Sequence, residues 1–284
     1  MGHTNFADLL KDARVAGSLG EAVIRREVEE TGETREAVLG RLLGSLDVME
    51  ASVGAGLRGD ARSRSGLTGG DARRVAESDH ALTGDTLAAA IASALAVAEV
   101  NASMGRIVAA PTGGASGVLP GVLLSVAGRI DAPRERVALA LAAAGGIGGV
   151  IAAKASLSGA AGGCQAEIGS GAAMAAAATV EVSGGTPEQA GHAASLALQG
   201  LLGLVCDPVG GLVEVPCVMR NATGAAVALA AAQMALAGVE FPIPFDEVAS
   251  AMGAVGRSLP PSLRETALGG LAVTPTGKHL GSAQ

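Results

Sequence analysis

The sequence predicts an all-α fold, an Ala/Gly-rich multi-helix domain, on three observations. No segment alternates apolar and polar residues with the period of two that a half-buried strand requires. Apolar residues make up 49% of the chain, yet only three are Phe and none is Tyr or Trp. Ala and Gly dominate instead, and such small side chains let helix backbones approach closely. Helix-start signals also recur along the chain. With few aromatic anchors a lone helix pair buries little, so many mutually buried helices are expected, with further surface buried against another subunit.

The elements follow in order. Ser18 followed by Glu21 fits a capping box opening a helix that ends near Gly32. Thr34 caps a second helix through Leu39, Leu42, Leu43 and Leu46 to about Met49. Arg58 to Gly70 is a Gly/Ser/Arg-rich connector and the one candidate boundary. It separates an N-terminal helical segment (1–66), packed on or leading into the core, from a main domain (67–284), the two forming one continuous unit. Thr83 to Met104 reads as an Ala-rich helix and Gly105 to Gly117 as a loop. Val118 to Gly128 and Pro133 to Ala153 read as helices, the second with Pro133 in its first turn. A loop carrying Ser156, Ser158, Gly162, Gly163 and Cys164 precedes a helix from about Glu167 to Val182. Thr186, Pro187 and Gln189 supply a cap, a first-turn proline and a capping-box glutamine. Cys206 to Cys217 is a Pro/Gly-punctuated loop, and Cys217 to Gly238 returns to helix. No internal repeat is present.

The net charge of −7 carries no basic stripe, and no aromatic platform exists for stacking bases, so a nucleic-acid partner is not expected. The basic stretch Arg58 to Arg64 is broken by Asp60 and reads as a solvated loop. Val137 to Ala153 and Asn221 to Val239 are uncharged and near membrane-spanning length. They are mostly Ala and Gly, however, and read as buried helices of a protein without a membrane partner. Asp8 and Asp12 near the start, with no long apolar run, argue against a secretory signal. Three cysteines form an odd count without short paired spacing, which argues against a disulfide framework and points to the cytoplasm.

All three cysteines fall in or beside Gly/Pro-rich turns: Gly-Gly-Cys164-Gln, Cys206-Asp-Pro and Pro-Cys217. Iron–sulfur ligands are thiolates whose neighbours leave room for the cluster and offer backbone N–H groups to its sulfurs, and such turns provide both. The spacings of 42 and 11 residues match no short metal motif. On residues alone, three buried free cysteines packing as small hydrophobes stand as the alternative. Thr112, Gly113, Gly114, Ser116 and Gly117 precede a helix and are either an anion cradle or an ordinary helix entry. Ser156 and Ser158 either bond a ligand or cap a turn. Asp207, Arg220 and Asn221 flank the cysteines, where supporting roles fit. Arg264 and Glu265 form either a buried structural ion pair or a substrate contact. The four histidines, His3, His80, His192 and His279, lie in unrelated contexts without triad or zinc spacing, and read as surface or satisfied helix positions.

Four long stretches in fixed order change the weighting. They are Glu99-Val-Asn-Ala-Ser-Met-Gly-Arg-Ile-Val-Ala-Ala-Pro-Thr-Gly-Gly-Ala-Ser-Gly, Ser156-Leu-Ser-Gly-Ala-Ala-Gly-Gly-Cys-Gln-Ala-Glu-Ile-Gly, Leu202-Gly-Leu-Val-Cys-Asp-Pro-Val-Gly-Gly-Leu-Val-Glu-Val-Pro-Cys-Val-Met-Arg-Asn-Ala and Leu263-Arg-Glu-Thr-Ala-Leu-Gly-Gly-Leu-Ala. From about Leu67 to Gly277 the chain resembles the alpha-chain family of iron–sulfur L-serine dehydratases. The resemblance implies a helical catalytic domain built around a 4Fe–4S cluster held by Cys164, Cys206 and Cys217. It also implies conversion of L-serine to pyruvate and ammonia without pyridoxal phosphate. One iron left without a cysteine would act as a Lewis acid. Thr112, Gly113, Gly114, Ser116, Gly117, Arg220 and Asn221 become candidate substrate contacts, and Lys154, Ser156 and Ser158 candidate catalytic groups. Lys154 departs from the family pattern, which usually shows Asn-Ala-Ser where this chain has Lys154-Ala-Ser. The resemblance further implies a separate beta subunit, since the Ser-Ser-His-Thr motif of the family's smaller module is missing, and hence a homo- or hetero-oligomer.

Three rivals remain at this level. A pyridoxal-phosphate dehydratase needs a Schiff-base lysine and a phosphate loop after a strand, and only Lys11, Lys154 and Lys278 are available. A related iron–sulfur lyase acting on L-cysteine would use the same residue types. A non-catalytic helical scaffold would leave the gathering of Gly, Pro and Cys at loops without a reason.

Overall fold

The structure is a computed structural model that describes residues 2–282. Thirteen helices are present among them. They are α1 (Phe6–Ala16), α2 (Leu19–Thr31), α3 (Arg35–Leu57), α4 (Asp71–Ala76), α5 (Gly84–Ala102), α6 (Val118–Arg129), α7 (Arg134–Lys154), α8 (Gly159–Gly162), α9 (Ser170–Val182), α10 (Pro187–Gln199), α11 (Cys217–Leu236), α12 (Phe245–Ser258) and α13 (Pro275–Ser282). Among the described residues there is no strand, and the one isolated β-bridge joins Cys206 to Arg264. The all-α expectation holds.

The N-cap residues act where the sequence places them, but the Glu21 side chain pairs with Arg35 and does not complete a box with Ser18. The side-chain oxygens of Ser18, Thr34 and Thr186 accept the N–H of Glu21, Ala37 and Gln189, each at 3.2 Å. Gln189 completes its box by accepting the Thr186 N–H at 2.9 Å. Gly32 ends α2 in the left-handed region, at φ 72°, where a residue without Cβ is favoured. Two boundaries differ from expectation. The second helix continues to Leu57 instead of ending near Met49, because its Ala/Gly-rich last turns lie against α5. Pro133 stands at the N-cap with extended ψ of 141°, and Arg134 is the first helical residue.

Every residue of α9 is buried, and α6, α7, α10 and α11 pack around it. Its sequence, Ser-Gly-Ala-Ala-Met-Ala-Ala-Ala-Ala-Thr-Val-Glu-Val, has no large side chain besides Met174, so four helices can close on it at once. The only charge on α9, Glu181, accepts the N–H groups of Leu19 (3.3 Å) and Gly20 (3.2 Å) and so caps α2. A buried carboxylate is tolerated where helix-start N–H groups meet it. At the α3–α5 crossing, a Cβ on Gly56 would collide with the Ala96 carbonyl, so the helices touch backbone to backbone. Residues of α1, α2 and α3 (Phe6, Leu9, Leu19, Leu46) belong to the same buried cluster as α6, α7 and α9. Phe6 meets Phe245 of α12 edge-on, with ring centroids 5.8 Å apart.

The uncharged stretch from Val137 to Ala153 lies in α7, and Asn221 heads the last apolar stretch in α11. Two helices, α5 and α7, are long and apolar enough to cross a membrane, but 67% of each apolar window is buried inside the fold. They are core helices here. Cys164 lies between α8 and α9, Cys206 in the loop between α10 and α11, and Cys217 at the start of α11.

Candidate active site

Cys164 follows α8 and leads into a π-helical turn, Gln165–Gly169, that runs directly into α9. A π turn inside a helix is frequent at functional sites because it re-aims the side chains of one turn. Gln165 ties this segment to its surroundings. Its N–H donates to the Leu204 carbonyl (3.0 Å), its Oε1 accepts the Gly203 N–H (2.9 Å), and its Nε2 donates to the carbonyls of Gly162 (2.9 Å) and Met252 (3.1 Å). Cys206 is thereby carried next to Cys164. From the other side the Leu-Arg-Glu-Thr motif holds it: the Cys206 N–H donates to the Leu263 carbonyl (2.9 Å), and the Glu265 N–H donates to the Cys206 carbonyl (2.8 Å). Cys217 is the first residue of α11.

The charged and polar residues flanking the cysteines brace this arrangement. Arg220 Nη1 donates to the Val205 carbonyl, and Nη2 donates to Asp207 Oδ1, both at 2.8 Å. Asp207 Oδ2 accepts the Leu271 N–H (2.7 Å), which anchors the C-terminal segment to the site. Asn221 Oδ1 accepts the Gly117 N–H (2.9 Å), while Nδ2 donates to the carbonyls of Gly114 (2.8 Å) and Cys217 (2.9 Å). Its side chain therefore locks the Thr112–Gly117 loop to the cysteine-bearing helix. Glu214, buried between Cys206 and Cys217, accepts the N–H and hydroxyl of Ser65, which binds the 58–70 connector to the same loop.

The three thiols are buried, with Cys164 and Cys206 each 2% exposed and Cys217 7%. They interact as a group. A hydrogen bond from Cys206 holds the Cys164 thiol below its usual value against the opposing effect of burial, and the Arg220 guanidinium helps. Donating that bond, together with burial, pushes Cys206 far up. Burial and the Cys164 charge push Cys217 up to about 12. The charged form is favoured at Cys164 over the other two thiols, where burial and the Cys164 charge oppose it. Among the described residues, no group of three His, Cys, Asp or Glu side chains is placed to hold a single metal ion. A cluster makes a different demand, since each thiolate holds its own iron and the sulfurs need not converge on one point. Gly159 brings its backbone close to the Cys206 thiol, since a Cβ there would stand 3.1 Å from Cys206 Sγ. The donor set and its surroundings fit an iron–sulfur cluster.

One functional candidate was not foreseen from sequence. Glu167, in the π turn, accepts a hydrogen bond from Thr112 Oγ1 at 2.7 Å. A Cβ on Gly114 would lie 3.1 Å from its Oε1, and one on Gly159 would lie 2.7 Å from its Oε2. The carboxylate is thus wedged between the glycine loop, α8 and Cys206. Burial pushes its pKa up, the Thr112 bond opposes this, and the nearby Glu265 charge adds to the rise. The signal available in sequence was that Glu167 is the only charged residue between Lys154 and Glu181.

The other candidates are placed as follows. Ser116 is fully buried and donates to the Gly113 carbonyl (2.8 Å), stiffening the loop. Ser156 Oγ accepts the Ser158 N–H (3.0 Å), a local turn ahead of α8. Lys154 ion-pairs with Asp246 at 3.3 Å, and Asp246 in turn accepts the N–H groups of Phe6 (2.8 Å) and Ala7 (3.2 Å) at the start of α1. Arg264 and Glu265 do not pair with each other among the described residues: Arg264 reaches the Ala161 carbonyl at 3.5 Å, and its Nε has no partner. Glu265 adopts a left-handed φ of 63° in the turn that touches Cys206. His3 bonds Asp12, His80 lies against Asp85 and Val75, and His192 accepts the Phe241 N–H, so these three rings have partners away from the thiols.

Comparison with known proteins bears on this site directly. The family model for the serine dehydratase alpha chain matches residues 16–272, which takes in all three cysteines and the segments that brace them. The chain belongs to this serine dehydratase alpha-chain family. The "Probable L-serine dehydratase, alpha chain" of Bacillus subtilis (strain 168) is 51% identical over 265 residues, covering 92% of this chain and 88% of the relative. The "L-serine dehydratase, alpha chain" of Peptoniphilus asaccharolyticus is 46% identical over 263 residues, covering 92% and 90%. The "L-serine dehydratase" of Streptomyces coelicolor (strain ATCC BAA-471 / A3(2) / M145) is 39% identical over 277 residues, and there 94% of this chain spans only 60% of the relative. Family members thus occur both at this length and as longer chains.

Proposed function

We propose that this alpha chain is the catalytic subunit of an L-serine dehydratase. In this reading it forms pyruvate and ammonia with a 4Fe–4S cluster on Cys164, Cys206 and Cys217 and without pyridoxal phosphate. The observation that carries the reading is the gathering of three buried, mutually interacting thiols in a chain that belongs to this family. When bound, the cluster supplies a Lewis-acidic iron toward a substrate oxygen.

The chain's own groups account for the rest. The Thr112–Gly114 stretch of the loop ahead of α6 offers backbone N–H groups to a substrate carboxylate, while the Gly117 N–H is held by Asn221. Asn221 fixes that loop relative to Cys217, so carboxylate and thiols keep one spacing. Arg220 places a fixed positive charge beside Cys164 and Cys217 and is itself held by Asp207. In the overall reaction the α-proton and the β-hydroxyl of L-serine leave as water. The aminoacrylate formed then hydrolyses to pyruvate and ammonia. The alpha-chain naming of the relatives and the extra length of the Streptomyces protein support a separate beta subunit as partner, in a cytoplasmic enzyme.

The test is turnover by the iron-loaded alpha chain together with its beta chain under anaerobic conditions, with no pyridoxal phosphate added. Equal yields of pyruvate and ammonia from L-serine are expected. Turnover that appears only on adding pyridoxal phosphate, or faster release of sulfide from L-cysteine than of ammonia from L-serine, would contradict the reading.

A further inference from the structure

Three acidic side chains inside this fold can be set side by side. Glu181 accepts two helix-start N–H groups. Glu99 accepts three, from Gly70 (3.0 Å), Asp71 (2.7 Å) and Ala72 (3.2 Å), at the start of α4. Each caps a helix, which is reason enough for a buried carboxylate. Glu167 caps nothing. Its one hydrogen bond comes from Thr112 Oγ1, and no Lys, Arg or His nitrogen pairs with it among the described residues. The Glu265 carboxylate bears on it as a like charge. Neither cation near the site pairs with Glu167: Arg220 is engaged by Val205 and Asp207, and Arg264 reaches the Ala161 carbonyl. A partly desolvated carboxylate beside a like charge is a costly feature unless a cation meets it.

The position is also specific. Thr112 fixes Oε1 beside the loop that suits a substrate carboxylate, and Oε2 lies on the side of Gly159 and Cys206. A Cβ at Gly114 or Gly159 would run into the carboxylate, so glycine backbone fits closely against it and fixes its place. Glu167 is only partly buried. We infer that Glu167 receives the α-ammonium group of the amino-acid substrate, so that the zwitterion is read at both ends: its carboxylate by the Thr112–Gly117 loop and its ammonium by Glu167. This rests on the L-serine reading above and adds the residue that selects amino acids over hydroxy acids of the same shape.

The experiment uses the iron-loaded alpha chain with its beta chain and compares the parent with Glu167→Gln and Glu167→Asp. Two quantities are measured: the KM for L-serine, and the inhibition constant of L-glycerate, which carries a hydroxyl where serine carries the ammonium. A charge-assisted hydrogen bond lost on Glu167→Gln should raise the L-serine KM about 10–100-fold. Glycerate inhibition should stay within about twofold, since its carboxylate and β-hydroxyl contacts remain. Glu167→Asp keeps the charge one methylene short and should fall between, which preserves the test if the Gln variant does not fold. Equal weakening of both ligands, or an unchanged KM for L-serine, overturns the inference. So does loss of iron from Glu167→Gln, which would place the carboxylate with the cluster instead. A parent that neither binds nor converts L-serine overturns this inference together with the function proposed above, whereas a serine-active parent with an indifferent Glu167 overturns this inference alone.

Discussion

The central helix α9 and the cysteine recess at its N-terminal end adjoin in space and are stabilised in opposite ways. In α9 every residue is buried and six of the thirteen are Ala, so position is set by steric contact with four neighbouring helices. Its one charge is answered by backbone N–H groups of α2. In the recess the backbone is irregular, and side chains of Gln165, Asp207, Glu214, Arg220 and Asn221 hold it through named hydrogen bonds across the chain. Close packing is set by steric fit and tolerates changes of volume poorly. A hydrogen-bonded brace tolerates volume changes outside it but depends on each partner. Substitutions in the two regions should therefore fail in different observables.

The largest effect is expected at the brace. Asp207→Asn weakens the hold on Arg220 and should lower affinity for iron about 10–100-fold, as read by chelator competition. A loss of stability with iron affinity intact would put the recess in the same class as the core. Next comes Gly56→Ala, which places a methyl group against the Ala96 carbonyl at the α3–α5 crossing. It should cost about 1–3 kcal/mol in chemical unfolding while leaving iron per folded chain unchanged. Iron lost in proportion to stability would show the two regions to be coupled. The smallest effect concerns Glu99, whose folded-state pKa is raised above 4.5 mainly by burial, against its three N–H partners. A raised value means that stability is favoured below about 4.5 and lost as pH rises through the folded-state value. The stability difference between parent and Glu99→Gln should therefore shift against the parent as pH rises through that range. A difference independent of pH would mean that the N–H partners cancel the burial.

Much of the helical frame was legible in the sequence because caps are local chemistry. Ser18, Thr34 and Thr186 each act at the predicted position. The last turns of α3 were not, since Ala and Gly give no amphipathic pattern and only contact with α5 makes them helical. Of the site, the cysteines and the Gly/Pro turns around them were readable, and Arg220 and Asn221 were picked out by their place beside Cys217. What they bond to was not readable, because each partner lies far away in sequence: Asn221 to Gly114 and Gly117, Asp207 to Leu271. Glu167 escaped because its stretch reads as the start of an ordinary helix, whereas the π turn re-aims it toward Thr112. Lys154 illustrates the reverse. Its position beside the first cysteine segment suggested chemistry, and its side chain is engaged with Asp246, which caps α1.

The central claim is that Cys164, Cys206 and Cys217 hold one cluster together. The direct measurement is iron and sulfide per chain after anaerobic reconstitution of the parent and of Cys164→Ala, Cys206→Ala and Cys217→Ala, with helical content followed alongside. About four irons and four sulfides in the parent, lost from each variant while the chain stays folded, is the expected result. A folded parent that takes up no iron, or a variant that keeps the full complement, would contradict the claim and return the thiols to the packing of the core.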